Sequence, residues 1–369
     1  MTAQQTTSAP AGTGTTVSLR SLRKTYGSFA AVDGIDLDVR EGEFLTLLGA
    51  SGSGKTTTLS MVAGFATPSA GQVLVGGNDV TGIAPHKRNI GMVFQHYSLF
   101  PHMSVLHNVA FPLRQRGVGR KEREQRAREA LDAVELSAKA SSRPTELSGG
   151  QQQRVAIARA LVFGPSLLLM DAPFGARDRA LREMMQLELR RIHREIGVTV
   201  LFVTHDQQEA LTLSDRIAVF ENGRIAQVGT PEDLYDRPES LYVATFLGES
   251  NVLRGTADGG AFATDGGAHI AVDPALSGRG AVVLRPERLT GGAPGTVGEP
   301  GASLDGTVID VTYLGADRRV DIETPDGPIV VRTSPHTIAP ASGEQVSVGW
   351  DPAAVLAFPG AGHVLEEPS

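Results

Sequence analysis

An α/β domain built on a parallel sheet, followed by a small all-β module, is the architecture this sequence predicts. Three observations carry that reading. From about Val17 to Gly248 short β-type runs alternate with helical patterns. Several of those apolar runs are continuous rather than alternating, which suits parallel strands covered on both faces. Beyond Asn251 glycine and proline become dense and the apolar runs shorten and alternate, the texture of antiparallel strands joined by tight turns.

In chain order, Met1–Thr16 mixes Thr, Ala, Gly and Gln and reads as a disordered tail. It carries no basic segment followed by an apolar stretch. Phe44–Leu45–Thr46–Leu47–Leu48 reads as a buried strand, and Thr58–Leu59–Ser60–Met61–Val62 as part of a helix beginning near Lys55. Leu167–Leu168–Leu169–Met170 and Val198–Thr199–Val200–Leu201–Phe202–Val203 are two more buried strands. Between them Leu181, Met185, Leu189, Ile192 and Ile196 fall on one helical face, which Gly197 ends. In the C-terminal part Thr307–Val311, Ile329–Val331 and Val346–Val348 have strand character. The predicted organisation is a tail over 1–16, an α/β domain over 17–250 and a β domain over 251–369.

Composition narrows the function classes. The 369 residues suffice for two domains. No uncharged apolar run approaches the roughly 18–20 residues that cross a bilayer. Without cysteine there is no disulfide framework and no thiolate metal site, so the cytoplasm is the expected location. A net charge of −7 argues against a nucleic-acid-binding stripe. The most basic stretch, Arg114 to Arg128, has Glu122 one turn ahead of Arg126 and Glu124 one turn ahead of Arg128. Ala127, Ala130, Leu131 and Val134 supply an apolar side, so a solvated amphipathic helix is expected there.

Gly49–Ala50–Ser51–Gly52–Ser53–Gly54–Lys55–Thr56 fits the phosphate-loop pattern G-x-x-x-x-G-K-[ST], after an apolar strand and before a helix. Its glycines let backbone N–H groups face phosphate oxygens. Lys55 adds a charge for the β and γ phosphates, the Thr56 hydroxyl can ligate Mg²⁺, and the helix N-terminus favours anions. Leu167–Asp171 is an apolar strand ending in a carboxylate that can hold Mg²⁺ through its water shell. Leu147–Ser148–Gly149–Gly150–Gln151–Gln152–Gln153–Arg154 has the capping-box spacing of Ser148 and Gln151 that opens a helix.

These segments closely resemble the ATPases of ABC transporters, over roughly the first two-thirds of the chain and in that family's motif order. Gly49–Thr56, with Thr57 directly after it, is similar to the Walker A loop. Gln95 in Val93–Phe94–Gln95 is similar to the Q-loop glutamine, Leu147–Gln151 to the ABC signature and Leu167–Asp171 to Walker B. His205 in Val203–Thr204–His205–Asp206 resembles the switch histidine, and Tyr26 sits where the family stacks an aromatic on adenine.

The resemblance implies a P-loop ABC ATPase domain with a helical subdomain over about 97–163, and ATP and Mg²⁺ as cofactors. Two chains would form a head-to-tail dimer holding two ATP molecules. Each ATP would meet Tyr26, Gly49–Thr57, Gln95 and His205 of one chain and Ser148, Gly149, Gly150 and Gln151 of the other. Thr56, Gln95 and Asp171 would serve the metal, and Lys55, Gln95, Asp171 and His205 the catalysis.

One position departs from the family. The glutamate that normally follows the Walker B aspartate is Ala172, in Asp171–Ala172–Pro173–Phe174. A methyl group neither accepts a proton nor orients water, so hydrolysis is expected to be impaired while nucleotide binding survives. An engineered substitution, a natural degenerate subunit and a sequence error are all compatible with it. In Gly175–Ala176–Arg177–Asp178, which resembles the D-loop, Arg177 replaces an expected apolar residue.

Without a span of its own, the chain would work with separate transmembrane permease subunits, and indirectly with a substrate-binding protein, at the cytoplasmic face of the inner membrane. Leu284–Arg285–Pro286–Glu287 and Val346–Trp350 look like the oligonucleotide/oligosaccharide-binding-type (TOBE) regulatory domain of importer ATPases. His86–Gln95 and Leu99–Val105 are most similar to the spermidine/putrescine subgroup. Importers of iron(III), sulfate, aminophosphonate or sugar share much of the pattern. The alternatives are a hydrolysis-deficient regulatory subunit, a heterodimer with another ABC ATPase and, last, a soluble ABC protein of repair or translation.

Overall fold

The computed structural model describes residues 14–172, 179–298, 301–337 and 340–360, with side chains of the helix beginning at 179 described from 182 onward. Most of the predicted tail, the D-loop-like segment with Pro173 and Phe174, and the side chain of Leu181 lie outside the described residues. Ahead of Val17, Thr15 is already tied down: its N–H donates to Thr199 Oγ1 at 2.9 Å, and that hydroxyl donates back to the Thr15 carbonyl at 2.6 Å. The chain divides into two units between Glu232 and Asp233, ahead of the change in sequence texture near residue 250.

The first unit runs β1 (Val17–Tyr26), β2 (Phe29–Val39), β3 (Phe44–Gly49), α1 (Lys55–Ala63), β4 (Ala70–Val75), β5 (Asn78–Asp79) and β6 (Ile90–Val93). There follow α2 (Val105–Gln115), α3 (Arg120–Ala133), α4 (Gly149–Leu161), β7 (Leu167–Asp171) and α5 (Arg179–Ile196). It closes with β8 (Thr199–Thr204), α6 (Gln207–Leu213), β9 (Arg216–Glu221) and β10 (Arg224–Gly229). The central sheet has the order β10-β9-β3-β8-β7-β6 and is parallel except for β10. A second, antiparallel sheet has the order β2-β1-β4-β5.

The continuous apolar runs are explained by the two cores they serve. Successive strand residues point to opposite faces. Phe44, Leu168, Met170, Val200 and Phe202 therefore join one core with Val109 of α2, Leu131 of α3, Val155 of α4 and Leu189 of α5. Leu45, Leu47, Leu167, Leu169, Leu201 and Val203 join another with α1 and the antiparallel sheet. Burying each such side chain stabilises the fold by about 1.5–3 kcal/mol.

In α3 the expected pair of Glu122 and Arg126 forms at 2.6 Å, but Glu124 pairs with Arg120 at 2.9 Å instead of with Arg128. Arg120 lies one turn on the other side, and exposed pairs of this kind differ little in energy. Gly197 ends α5 as expected, with φ 68° and its N–H on the His193 carbonyl at 2.8 Å.

The second unit carries α7 (Pro231–Asp236, which spans the division), α8 (Leu241–Phe246), β11 (Asn251–Asp258), β12 (Ala261–Thr264), β13 (His269–Ala271), β14 (Gly278–Leu284) and β15 (Leu289–Gly292). The last strands are β16 (Ser303–Tyr313), β17 (Arg318–Thr324), β18 (Gly327–Thr333), β19 (Gln345–Trp350) and β20 (Leu356–Pro359). They form two antiparallel five-stranded sheets, β13-β12-β11-β14-β20 and β15-β19-β16-β17-β18. Leu253, Val282 and Leu284 of the first share a core with Val308, Ile322, Val331 and Val348 of the second. Arg285, fully buried, donates to the Ala244 carbonyl at 2.9 Å and Ser250 Oγ at 2.7 Å and stacks on Tyr235 at 4.1 Å, joining α7 and α8 to β14.

The helix that follows the phosphate loop is closed from behind by Arg88, which is 7 % exposed. Its guanidinium donates to the carbonyls of Met61 and Val62, both at 2.8 Å, and of Ile83 at 2.7 Å and Thr81 at 3.0 Å. Met61 and Val62 belong to the last turn of α1, where carbonyls run out of helical donors; the Met61 carbonyl also accepts the Gly64 N–H at 3.2 Å. Replacing Arg88 by Met keeps the stem but abandons these acceptors. The expected loss is about 2–3 kcal/mol of stability in the first unit, read as a lower urea midpoint at unchanged m. An unchanged midpoint would show that water replaces the guanidinium at no cost.

Candidate functional site

Strand register assembles the site. Leu48 of β3 lies opposite Thr204 of β8, Val203 of β8 opposite Asp171 of β7, and Met170 of β7 opposite Val93 of β6. The carboxyl ends of four neighbouring strands are thereby level, and ligands of open α/β sheets bind outside that edge. Residues 49–56 leave β3 there, Asp171 ends β7, His205 follows β8 directly, and Gln95 stands two residues beyond β6.

The loop is shaped around Lys55. Its ammonium, 6 % exposed, donates to the carbonyls of Gly49 at 2.8 Å and Ala50 at 2.7 Å and to Ser53 Oγ at 3.1 Å. Gly54 caps α1 with φ 106°, and a Cβ there would stand 2.4 Å from the Ala31 carbonyl oxygen. Only glycine meets both demands. Ala50, Ser51, Gly52 and Thr56 are exposed, Thr57 is half-buried, and Gly49, Ser53 and Gly54 are buried.

Burial pushes the Lys55 ammonium below its ordinary value, against the pull of Asp171. Burial likewise raises the Asp171 carboxyl, against a hydrogen bond from Thr56 and the charge of Lys55. Each charge is thus only partly compensated by the other. The Thr56 hydroxyl and Asp171 carboxylate are oxygen donors suited to Mg²⁺, so the residues present fit the group.

Ala172 lies at the same edge. Its N–H donates to the Val203 carbonyl at 2.8 Å and its φ is 36°. Gln95 and His205 are exposed. The His205 turn is braced from below: Thr204 Oγ1 donates to Glu209 at 2.6 Å and accepts from the Asp206 N–H at 3.0 Å. Asp206 caps α6 through the N–H groups of Gln208 and Glu209 and pairs with Arg182 at 2.9 Å. Burial pushes the Glu209 carboxyl up to about 7. Sequence reasoning missed Glu209; the sole signal was an acidic residue beside Ala210 and Leu213 on the inward face of a short helix.

Tyr26, 55 % exposed, lies at the tip of the β1–β2 hairpin opposite Phe29, with Lys24 Nζ 5.1 Å from its ring. That hairpin also supplies the Ala31 wall of Gly54. Ser148–Gln151 stands elsewhere. The capping box forms, with the Gln151 N–H donating to Ser148 Oγ at 3.4 Å and the Ser148 N–H to Gln151 Oε1 at 3.1 Å. Gly149 and Gly150 occupy its first two helical positions, and a Cβ on Gly149 would meet nothing within 4 Å. Among the described residues, no hydrogen bond or ion pair links this helix tip to residues 49–56.

The comparisons with known proteins identify the family. The family model described as ABC transporter matches residues 32–175, and the TOBE-domain model matches residues 282–358. The chain is 46 % identical, over 93 % of its length and 94 % of the relative's, to the spermidine/putrescine import ATP-binding protein PotA of Thermobifida fusca. It is 43 % identical to the Fe(3+) ions import ATP-binding protein FbpC of Rhizobium etli, over 85 % of this chain and 90 % of that one. Among solved structures it is similar to the dimeric post-hydrolysis state of the ATP-binding cassette MJ0796 bound to ADP and Pi. That match has TM-score 0.52 and 35 % identity, over 58 % of this chain and 98 % of that one. The chain belongs to the ATP-binding subunits of ABC transporters, of the importer type.

Proposed function

We propose that two copies of this chain close around two MgATP molecules and thereby drive a separate permease that takes up a polyamine. The observation that carries the reading is the level strand edge bearing Lys55, Thr56, Asp171, Gln95 and His205, with the Ser148-capped helix tip of the same chain left outside it. A tip with two glycines, of which Gly149 faces open space within the chain, suits close approach by another molecule's nucleotide.

In this reading Lys55 and the loop N–H groups hold the β and γ phosphates. Thr56 and Asp171 hold Mg²⁺, Asp171 through water, and Gln95 stands by the metal and γ-phosphate. Bound Mg²⁺ would neutralise phosphate charge. His205 contacts the γ-phosphate from the far side, and Ser148–Gln151 closes over the nucleotide of the other chain. ATP then favours the closed dimer because it touches both chains, and loss of the γ-phosphate removes part of that contact.

No described helix is long and apolar enough to cross a membrane, so the transmembrane permease is taken to be a separate partner, with this chain docked on it at the cytoplasmic face. The polyamine cargo is supported by the printed functions of relatives such as the Thermobifida fusca protein. The Rhizobium etli iron(III) protein supports the competing cargo.

Ala172 favours a second reading, an ATP-binding subunit whose own site hydrolyses slowly. A missing general base costs on the order of 10²–10⁴ in rate. Ala172 and a glutamate share the same Cβ, so the left-handed backbone at φ 36° imposes no new clash at Cβ on the longer side chain.

Ala172→Glu should raise ATP turnover at least about tenfold, read as phosphate release; equal and brisk turnover in both chains contradicts the assignment. Ser148→Arg should leave ATP binding by the single chain within about threefold while abolishing the ATP-induced dimer in size-exclusion chromatography. A persistent dimer would remove the helix tip from the interface.

A further inference from the structure

One buried cation has no part in the roles above. Arg159 lies on α4, about three turns from Ser148, within the run Ile157–Leu161, and is 9 % exposed. No carboxylate pairs with it among the described residues, and burial pushes its guanidinium below the ordinary value with nothing opposing. It donates instead to the carbonyls of Tyr97 and Ser98, both at 2.7 Å, and stands 5.7 Å from the Phe100 ring.

Those two acceptors are unusual. Tyr97 and Ser98 have φ 57° and 46°, a left-handed conformation that residues with a Cβ disfavour and rarely adopt in succession. It turns two consecutive carbonyls toward one guanidinium. A buried charge without a counter-ion is costly unless dipoles meet it, and here the dipoles belong to a strained segment. Cation and segment therefore stabilise each other, and the segment begins two residues after Gln95.

We propose that Arg159 is a positioning residue that locks the segment following Gln95 to the Ser148-capped helix. Gln95, at the chain's own nucleotide site, and Ser148–Gln151, at the opposite site, then move as one body. This rests on the two-site reading above and deepens it: the guanidinium is the link by which occupancy at one site sets the pose of the helix tip at the other.

Arg159→Met removes the donors and keeps the apolar stem, whereas Arg159→Lys keeps a charge with a compact head. Three quantities are measured: ATP affinity of the dilute single chain, ATP-induced dimerisation by ultracentrifugation, and amide hydrogen exchange at Tyr97 and Ser98 without nucleotide. For Arg159→Met we expect ATP affinity within about threefold of the parent, dimerisation weakened at least about tenfold, and faster exchange at both amides. Arg159→Lys should recover most of the dimerisation. Parent-like dimerisation and exchange in a folded Arg159→Met chain overturn the proposal. Should the Met variant fail to fold, Arg159→Gln, which removes the charge and the paired donors, takes its place: weakened dimerisation with faster exchange supports the proposal, and parent-like values for both overturn it. A parent chain that forms no ATP-induced dimer defeats the two-site reading, and unaltered exchange at Tyr97 and Ser98 is then what overturns the Arg159 assignment.

Discussion

The register of four parallel strands is the constraint on which the rest of the first unit depends. Parallel pairing requires crossover connections, and these deliver the phosphate loop after β3, Asp171 at the end of β7, His205 after β8 and Gln95 after β6 to one edge. A one-residue slip in any strand would exchange its two faces. In β8 it would turn Val200 and Phe202 out of the helical core and move His205 along the edge. Because both faces of β3, β7 and β8 are buried, the register is held by two cores at once, and the site inherits that rigidity.

Electrostatics at the edge are arranged the opposite way, with incomplete compensation. Lys55 and Asp171 are pushed toward their neutral forms by burial, and each is only partly relieved by the other. Full pairing would stabilise the empty site and oppose the ligand. In the proposed reading, partial pairing leaves a cation for phosphate and a carboxylate for a metal. The loop carbonyls of Gly49 and Ala50 hold Lys55 meanwhile, so its charge does not remain wholly uncompensated before nucleotide arrives.

What was legible in the sequence shares a physical property: it is local. The apolar runs of β3, β7 and β8 declare themselves because both faces are covered, and the capping box of Ser148 and Gln151 spans three residues. Arg88, Arg159 and Glu209 were not legible. Arg88 and Arg159 meet backbone carbonyls, which carry no sequence signature, and some of these lie 27 and 61 positions away. Glu209 is marked by burial, which only the fold reveals. The short helices α7 and α8 give too few residues for periodicity to show. The Glu124 pairing went the other way because two arginines compete for one carboxylate.

In the proposed dimer each chain would present two nucleotide-facing ends of unequal condition, and this bears on the meaning of Ala172. Ala172 lies at the edge that carries Lys55 and Asp171, whereas the Ser148–Gln151 tip has its cap and its glycines. A chain that hydrolyses poorly at its own edge can still complete a partner's site. In a homodimer every closed state would then persist, and removal of a carboxylate beside the γ-phosphate would lessen repulsion there. In a heterodimer one site would turn over while the other holds. The two assemblies differ in a property that turnover per chain does not reveal: after a single round, the first retains two nucleotides as ATP, and the second retains one.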